Sequence, residues 1–276
     1  MHCTPMSKSK YFAVLTAILL ICISADAKRR DCDIVAHRGF WNCEEAGYAK
    51  NSIAALKCAQ EAALWGSEFD VNMTADSILI VYHDSDVEGK KIEKHPYSEF
   101  KEHKLKNGEA IPTLDEYLEQ GKKYSGTMLV YELKPHSSKE VEDIFVELSI
   151  AKLKEHGLLS PDRVMFISFS IHMCELLARE LPEFTVQFLG SSLSPDELAA
   201  RGVYGVDYNH TVYSIHKKWY RQARRNNMSI NSWTVNSEKE INDMLELGVD
   251  YITTDDPLLV RKQQLIFNQK KSGARK

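Results

Sequence analysis

Short apolar runs alternate with longer stretches of helical period through most of the chain, and polar residues recur where the short runs end. Asp33-Ile34-Val35-Ala36 is the first such run and stops at His37-Arg38-Gly39. It predicts a buried strand and then a turn, which the glycine permits. Asn51-Ser52 next caps a predicted helix through Trp65, with Ile53, Leu56, Ala59, Ala63 and Leu64 near helical spacing and Gly66 as its stop. In Ser67-Glu68-Phe69-Asp70-Val71 the period becomes that of a strand, so Glu68 and Asp70 share one face while Phe69 and Val71 take the other. A turn at residues 74–77 leads to Ile78-Leu79-Ile80-Val81-Tyr82 and then His83-Asp84. The connection is too short for a parallel crossover of about a dozen residues, which predicts an antiparallel hairpin.

Residues 85–112 are charged and weakly patterned, as in a small surface excursion. Beyond them strands are predicted at 127–134, 164–169, 185–189, 205–208, 229–235 and 249–254. Helices are predicted between them at 113–124, 138–156, 171–180, 195–201, 216–226 and 237–247, with a closing helix from Pro257. This order means a largely parallel sheet covered by helices. The expected fold class is α/β, a TIM-type (β/α)8 barrel with a small insertion after the second strand's hairpin. Nine strand-like segments are present where such a barrel has about eight, and the strand before His83 is the natural surplus. An open doubly wound sheet binding a nucleotide would bring a glycine-rich turn after the first strand, which this chain lacks.

The length of 276 residues suits one barrel, and 43% hydrophobic residues can fill its core without help from disulfides. A net charge of -4 argues against nucleic acid or an anionic membrane as partner. Lys8 and Lys10 precede an apolar run from Tyr11 to Ile23, and Ala25-Asp26-Ala27 offers small residues for cleavage. Residues 1–27 therefore read as a signal peptide, residues 28–265 as the barrel domain and residues 266–276 as a basic tail. The apolar run is shorter than the roughly 20 residues that cross a bilayer, so no stable membrane span is expected after its removal. A secreted or periplasmic location follows. Lipoprotein anchoring at Cys22 is the less favoured reading, because Ile21 is bulkier than such processing prefers. In an oxidising compartment Cys32 and Cys43 could close a short loop around His37-Arg38-Gly39, with four free thiols the equal alternative. Cys58 and Cys174 lie in helical patterns as small core residues.

In a β/α barrel the strand ends share one face, so polar residues far apart in sequence converge there. Here they are His37 and Arg38, Glu68 and Asp70, His83, Glu132 and Lys134, Asn209 and His210, Trp233 and Asn236, and Asp255 and Asp256. Glu132 and Lys134 repeat the two-residue spacing of Glu68 and Asp70. Any one carboxylate could pair with a nearby Lys or Arg, but Glu68, Asp70 and Glu132 together at the ends of apolar strands call for a cation. Their hard oxygens suit Ca2+ or Mg2+, with water and substrate completing the shell. His37 and His83 each close an apolar strand; singly either reads as a structural group, and together they can supply base and acid. Arg38 and Lys134 add positive charge for the nonbridging oxygens of a phosphate ester. The set points to phosphodiester cleavage.

The ordered motifs His37-Arg38-Gly39, Asn51-Ser52, Glu68-Phe69-Asp70-Val71, His83-Asp84, Pro112-Thr113-Leu114, Glu132-Leu133-Lys134, Trp233-Thr234-Val235-Asn236, and Gly248-Val249-Asp250 through Thr254-Asp255-Asp256-Pro257 resemble those of the glycerophosphodiester phosphodiesterases. The resemblance implies a β/α barrel with one divalent cation, Ca2+ or Mg2+, on Glu68, Asp70 and Glu132. It implies catalytic roles for His37 and His83 and substrate-binding roles for Arg38, Lys134 and Trp233. The implied reaction converts a small-molecule glycerophosphodiester to glycerol 3-phosphate and an alcohol. A glycerol hydroxyl attacks phosphorus, the alcohol leaves, and water opens the cyclic phosphate. Two positions depart from the family pattern. Lys50-Asn51-Ser52 stands where many members have Glu-Asn-Thr, and Ser85-Asp86-Val87-Glu88-Gly89 follows His83-Asp84 where many carry an arginine. The alternatives are a phospholipase D-like lipid phosphodiesterase that leaves a cyclic phosphate, and a non-catalytic phosphodiester-binding barrel.

Overall fold

Strand β1 (Asp33–Ala36) is followed by helix α1 (Ile53–Glu61) and the long strand β2 (Gly66–Met73). The computed structural model describes residues 32–273, so the leader predicted at residues 1–27 lies outside the described residues. Ser52 starts α1, its hydroxyl accepting the Ala55 N–H at 2.9 Å. The helix ends at Glu61 and does not reach Trp65, because Ala63 turns with φ +48° and releases Leu64 into the core. Gly66 opens β2 instead of stopping α1. A Cβ there would lie 3.3 Å from both Val35 and Val130, so the residue's small size serves strand packing.

β2 returns through a tight turn as β3 (Leu79–Val81), antiparallel to it with Val71 opposite Val81. A two-stranded ribbon, β4 (Asp86–Val87) and β5 (Lys90–Lys91), and single turns of 3-10 helix at Ile92–Lys94 and Tyr97–Glu99 form the insertion. It has a small core of its own, built from Ile80, Val87, Ile92, Phe100 and Ile111. The regular alternation then resumes with α2 (Leu114–Gly121), β6 (Met128–Leu133), α3 (Lys139–Glu155), β7 (Val164–Ser168), α4 (Ile171–Glu180), β8 (Val186–Phe188) and α5 (Pro195–Ala200). It continues through β9 (Gly205–Asn209), α6 (Val212–Ile215), α7 (Trp219–Arg225), β10 (Ser229–Trp233), α8 (Glu238–Leu247), β11 (Tyr251–Thr254) and α9 (Pro257–Gly273). The helix predicted at 216–226 is thus preceded by a separate short piece. His216 ends α6 in a non-helical conformation, its ring stacked on Trp219 at 4.0 Å. The closing helix α9 runs on into the basic segment that begins at residue 266.

Parallel pairing proceeds β1-β11-β10-β9-β8-β7-β6-β2 and returns to β1, where Val35 and Ala36 stand opposite Gly66 and Ser67. Eight parallel strands therefore close a barrel, and β3 is the surplus strand, paired with β2 beyond the point where β1 stops. Val35, Val130, Met165, Ile167 and Leu189 fill the interior above Trp65 and Tyr251, whose ring centroids lie 4.6 Å apart. Phe69, Tyr131 and Phe166 project outward into the larger core beneath the helices. With all barrel strands parallel, their C-terminal ends open on one face.

Cys43 lies against Cys58 and not against Cys32: the two thiols are hydrogen bonded, and burial followed by Cys43 pushes Cys58 up to about 12. β1 intervenes between Cys32 and the loop after His37, a rise of about 13 Å, so the Cys32–Cys43 closure is not formed. Cys58 and Cys174 are buried as small core residues. Among the described residues no helix is long and apolar enough to cross a membrane.

Candidate active site

β2 and β6 run in register, with Asp70 opposite Glu132. The pleat turns Glu68, Asp70 and Glu132 toward one side, and they are only 2%, 1% and 7% exposed. One oxygen of each lies within 4.8 Å of the others. Carboxylates so close and so dry resist ionising together. Burial, then the charges of Asp70 and Glu132, pushes the Glu68 carboxyl well above its usual range, and burial with Asp70 pushes Glu132 up to about 8. Burial would raise Asp70 too, but Lys134, His83 and Arg38 outweigh it and hold that carboxyl low.

Lys134 directly follows β6, and its Nζ lies 2.7 Å from Glu132 Oε1 and 3.2 Å from Asp70 Oδ1. These two charges keep its ammonium more basic than usual despite burial. Arg38 arrives from the end of β1. Its backbone N–H donates to Glu68 Oε2 at 2.6 Å, and its Nε stands 3.5 Å from Asp70 Oδ2, an ion pair too long for a hydrogen bond. That approach depends on a sharp turn, with φ +57° at Arg38 and +79° at Gly39. A Cβ on Gly39 would sit 2.7 Å from Ala55 Cβ and 2.8 Å from the Ala55 carbonyl carbon, so only glycine lets the turn settle on α1. Asn51, also at positive φ, donates from Nδ2 to Asp70 Oδ2 at 2.8 Å and accepts the Asp70 N–H on Oδ1 at 3.1 Å.

Glu68 Oε1 is buried without a hydrogen-bond partner. Three hard carboxylates, one with an unused oxygen, fit a divalent cation that prefers oxygen ligands. The set contains no thiolate or imidazole among its closest donors, which sets it apart from structural zinc sites.

His37 follows β1, next to β11 in the barrel, and its Nδ1 lies 2.9 Å from Asp255 Oδ1. A carboxylate only accepts, so this contact puts the proton on Nδ1 and leaves Nε2 for proton exchange. Trp41 Nε1 and Asn236 Nδ2 each donate to Asp255 at 2.9 Å as well. Burial opposes ionisation there, but His37, Trp41 and Asn236 hold the carboxyl far below its usual range. His83 has the same arrangement, its Nδ1 2.6 Å from Asp84 Oδ1, while burial makes it less basic than an ordinary histidine. Asn72 on β2 anchors this segment by donating to the Tyr82 carbonyl at 2.7 Å and the Asp84 carbonyl at 3.2 Å. Asn72 begins an Asn-Met-Thr triplet that matches a glycosylation pattern, yet it is 4% exposed and committed to these contacts.

His37, Arg38, Glu68, Asp70, His83, Glu132 and Lys134 thus meet at the strand ends around β1, β2 and β6. Trp233 ends β10, across the mouth from β6. Its Nε1 donates to the Asp207 carbonyl at 2.9 Å, and its ring meets Phe169 edge-on at 5.7 Å. Three contributors escape sequence reading. Asn51 reads there as a helix cap, a job that Ser52 alone performs; Asn72 signals only a glycosylation triplet, and Trp41 carries no signal beyond its type. Nothing in the spacing pairs residue 51 with residue 70, or residue 41 with residue 255.

An eight-stranded β/α barrel with this charged centre at its strand ends has the layout of a barrel enzyme, its polar groups gathered on the face where such barrels carry their chemistry. The sequence pattern of the glycerophosphoryl diester phosphodiesterase family matches residues 37–259, and the chain belongs to that family. A glycerophosphodiester phosphodiesterase from Bacillus altitudinis is 30% identical over 239 residues, covering 81% of this chain and 94% of the relative. The crystal structure of a glycerophosphodiester phosphodiesterase from Parabacteroides distasonis is 39% identical, with a TM-score of 0.82 over 86% of this chain and 98% of that one. A phosphodiesterase from Oleispira antarctica, solved with its product sn-glycerol 3-phosphate, shares the fold at a TM-score of 0.71 and 24% identity, over 84% and 96% of the two chains.

Proposed function

We propose that the protein hydrolyses glycerophosphodiesters to glycerol 3-phosphate and an alcohol, with His37 and His83 as acid and base beside a divalent cation, Ca2+ or Mg2+. The observation that carries this reading is the meeting of three buried carboxylates, two histidines with Nε2 available, and two cations at one strand-end face. Family membership and the product held by the Oleispira antarctica relative support the substrate class.

Glu68, Asp70 and Glu132 would hold the cation, which supplies Lewis-acid charge for the nonbridging oxygens of the phosphodiester. With a divalent ion and a monoanionic diester in place, the formal charges of the three carboxylates, Arg38 and Lys134 cancel. Arg38 and Lys134 add donors for the same oxygens, and Trp233 offers an apolar wall to the glycerol carbons. One histidine takes the proton of a glycerol hydroxyl as that oxygen bonds to phosphorus. The other gives a proton to the alcohol as its P–O bond breaks. Water then adds to phosphorus and opens the cyclic phosphate with the two roles exchanged, so protons balance over the cycle. Asp255 and Asp84 keep each Nδ1 protonated, so that each imidazole works through Nε2.

The test is release of glycerol 3-phosphate from such a diester by purified protein, and its loss on chelation or in Glu68→Ala. The leader-like residues 1–27 support export to a secreted or periplasmic location, which the N-terminal sequence of the exported protein checks.

A further inference from the structure

A cleft of about 480 Å³ opens beside the charged centre, between the loop after β1 and residues 103–106 of the insertion. Arg38, Asn51 and His83 line it, so it shares a wall with that centre. Its charge is one-sided. Lys50, Lys104 and Lys106 line it and are exposed, and among the described residues none of them forms an ion pair with a carboxylate. The one acid in the lining, Asp84, is engaged by His83 at 2.6 Å. His103 is turned to Glu88 at 3.0 Å, and Glu109 accepts the backbone N–H groups of Ile53 and Ala54 at the start of α1.

The aromatic rings of Trp41, Tyr48 and Tyr82 in such a cleft could instead cage a quaternary ammonium. Here two of the three already serve the lysines, Lys50 Nζ lying 4.5 Å from the Trp41 ring centroid and Lys106 Nζ 5.2 Å from that of Tyr48, and the third, Tyr82, meets the His103 ring edge-on at 6.0 Å. A ring positions an ammonium without cancelling its charge. The cleft therefore presents held, unneutralised positive charge next to the site of bond cleavage. A glycerophosphodiester has two arms at phosphorus. The small neutral glycerol arm matches the uncharged wall of Trp233 and Phe169 across the mouth, which leaves the cleft for the alcohol.

We infer that this cleft receives the alcohol arm of the substrate, and that Lys50, Lys104 and Lys106 select alcohols bearing a second anionic group, a phosphomonoester or a carboxylate, over those bearing a quaternary ammonium. The inference rests on the hydrolysis proposed above. Each ammonium at contact distance from an anion in water is worth about a fivefold preference, so two or three acting together exceed tenfold.

The experiment compares kcat/KM of the purified protein for four diesters that share glycerol 3-phosphate as product: glycerophosphoinositol phosphate, glycerophosphoserine, glycerophosphoglycerol and glycerophosphocholine. The expected order places the phosphomonoester or carboxylate arm first and choline last, about tenfold or more apart, with the gap narrowing as salt screens it. Lys104→Glu with Lys106→Glu, both in an exposed loop, lowers that ratio by at least about 25-fold, chiefly through KM. Choline hydrolysed as well as or better than the anionic arms overturns the inference, and so does a ratio that the double variant leaves unchanged while glycerol 3-phosphate is still released. No glycerol 3-phosphate from any of the four overturns the hydrolysis itself, and the inference with it.

Discussion

Asn51 grips Asp70 with both ends of its amide, donating to the carboxylate at 2.8 Å and accepting the backbone N–H at 3.1 Å. The contact ties the loop after β1 to the strand that carries two of the three clustered carboxylates. It fixes which Asp70 oxygen remains for Lys134, which lies 3.2 Å from Oδ1. A partner that orients a ligand carboxylate affects cation affinity by about 10–100-fold. Asn51→Gly keeps the left-handed backbone conformation and removes only the amide. The cation concentration needed for half-maximal activity is expected to rise by that factor. An unchanged titration would show that Asp70 needs no such support.

The His37–Asp255 pair makes a separate prediction. In Asp255→Asn the amide can donate to Nδ1, which moves the imidazole proton to Nε2 and blocks it as a base. We expect kcat to fall about a hundredfold or more with little change in KM, as for a lost orienting contact. Steady-state kinetics on one diester checks this. A variant that loses KM and retains kcat would place Asp255 in substrate binding instead.

The barrel was legible in the sequence because its strands are buried on both sides and read as apolar runs between amphipathic helices. The carboxylate triad was legible for a related reason: Glu68 and Asp70, like Glu132 and Lys134, occupy alternate positions of a strand, where chemistry and geometry are visible together. What could not be read depended on chain closure. The strand before His83 stood out as the surplus, but its place outside the closure turned on the pairing of Val35 with Gly66, a contact between different elements. The early end of α1 turned on a single left-handed residue, Ala63, of a type with good helix propensity. The supports of the site, Asn51 on Asp70 and Trp41 with Asn236 on Asp255, join residues that no local pattern relates.

The pH dependence of cation binding follows from Glu132. Its carboxyl is raised to about 8 by burial and Asp70. A carboxyl raised on folding makes the native state bind extra protons, so without cation its contribution to stability declines as pH climbs from about 4 toward 8. A cation competes with those protons and gains affinity over the same interval, up to about tenfold per pH unit for each proton displaced. The rise in Tm on adding Ca2+ or Mg2+ should therefore grow between about pH 5 and pH 8. In Glu132→Gln both the growth and the increment should shrink. Thermal unfolding across pH with and without cation measures this, and an increment that falls with rising pH would contradict it.

The proposed cation-dependent centre is tested most directly by enzymatic release of glycerol 3-phosphate from a glycerophosphodiester, measured in Ca2+ or Mg2+, after chelation, and with Glu68→Ala. We expect release by the intact protein, loss on chelation, recovery when the cation is restored, and loss of at least about a hundredfold in the variant. Full activity in chelator, or an unimpaired Glu68→Ala, would contradict a catalytic centre built around the carboxylates of β2 and β6.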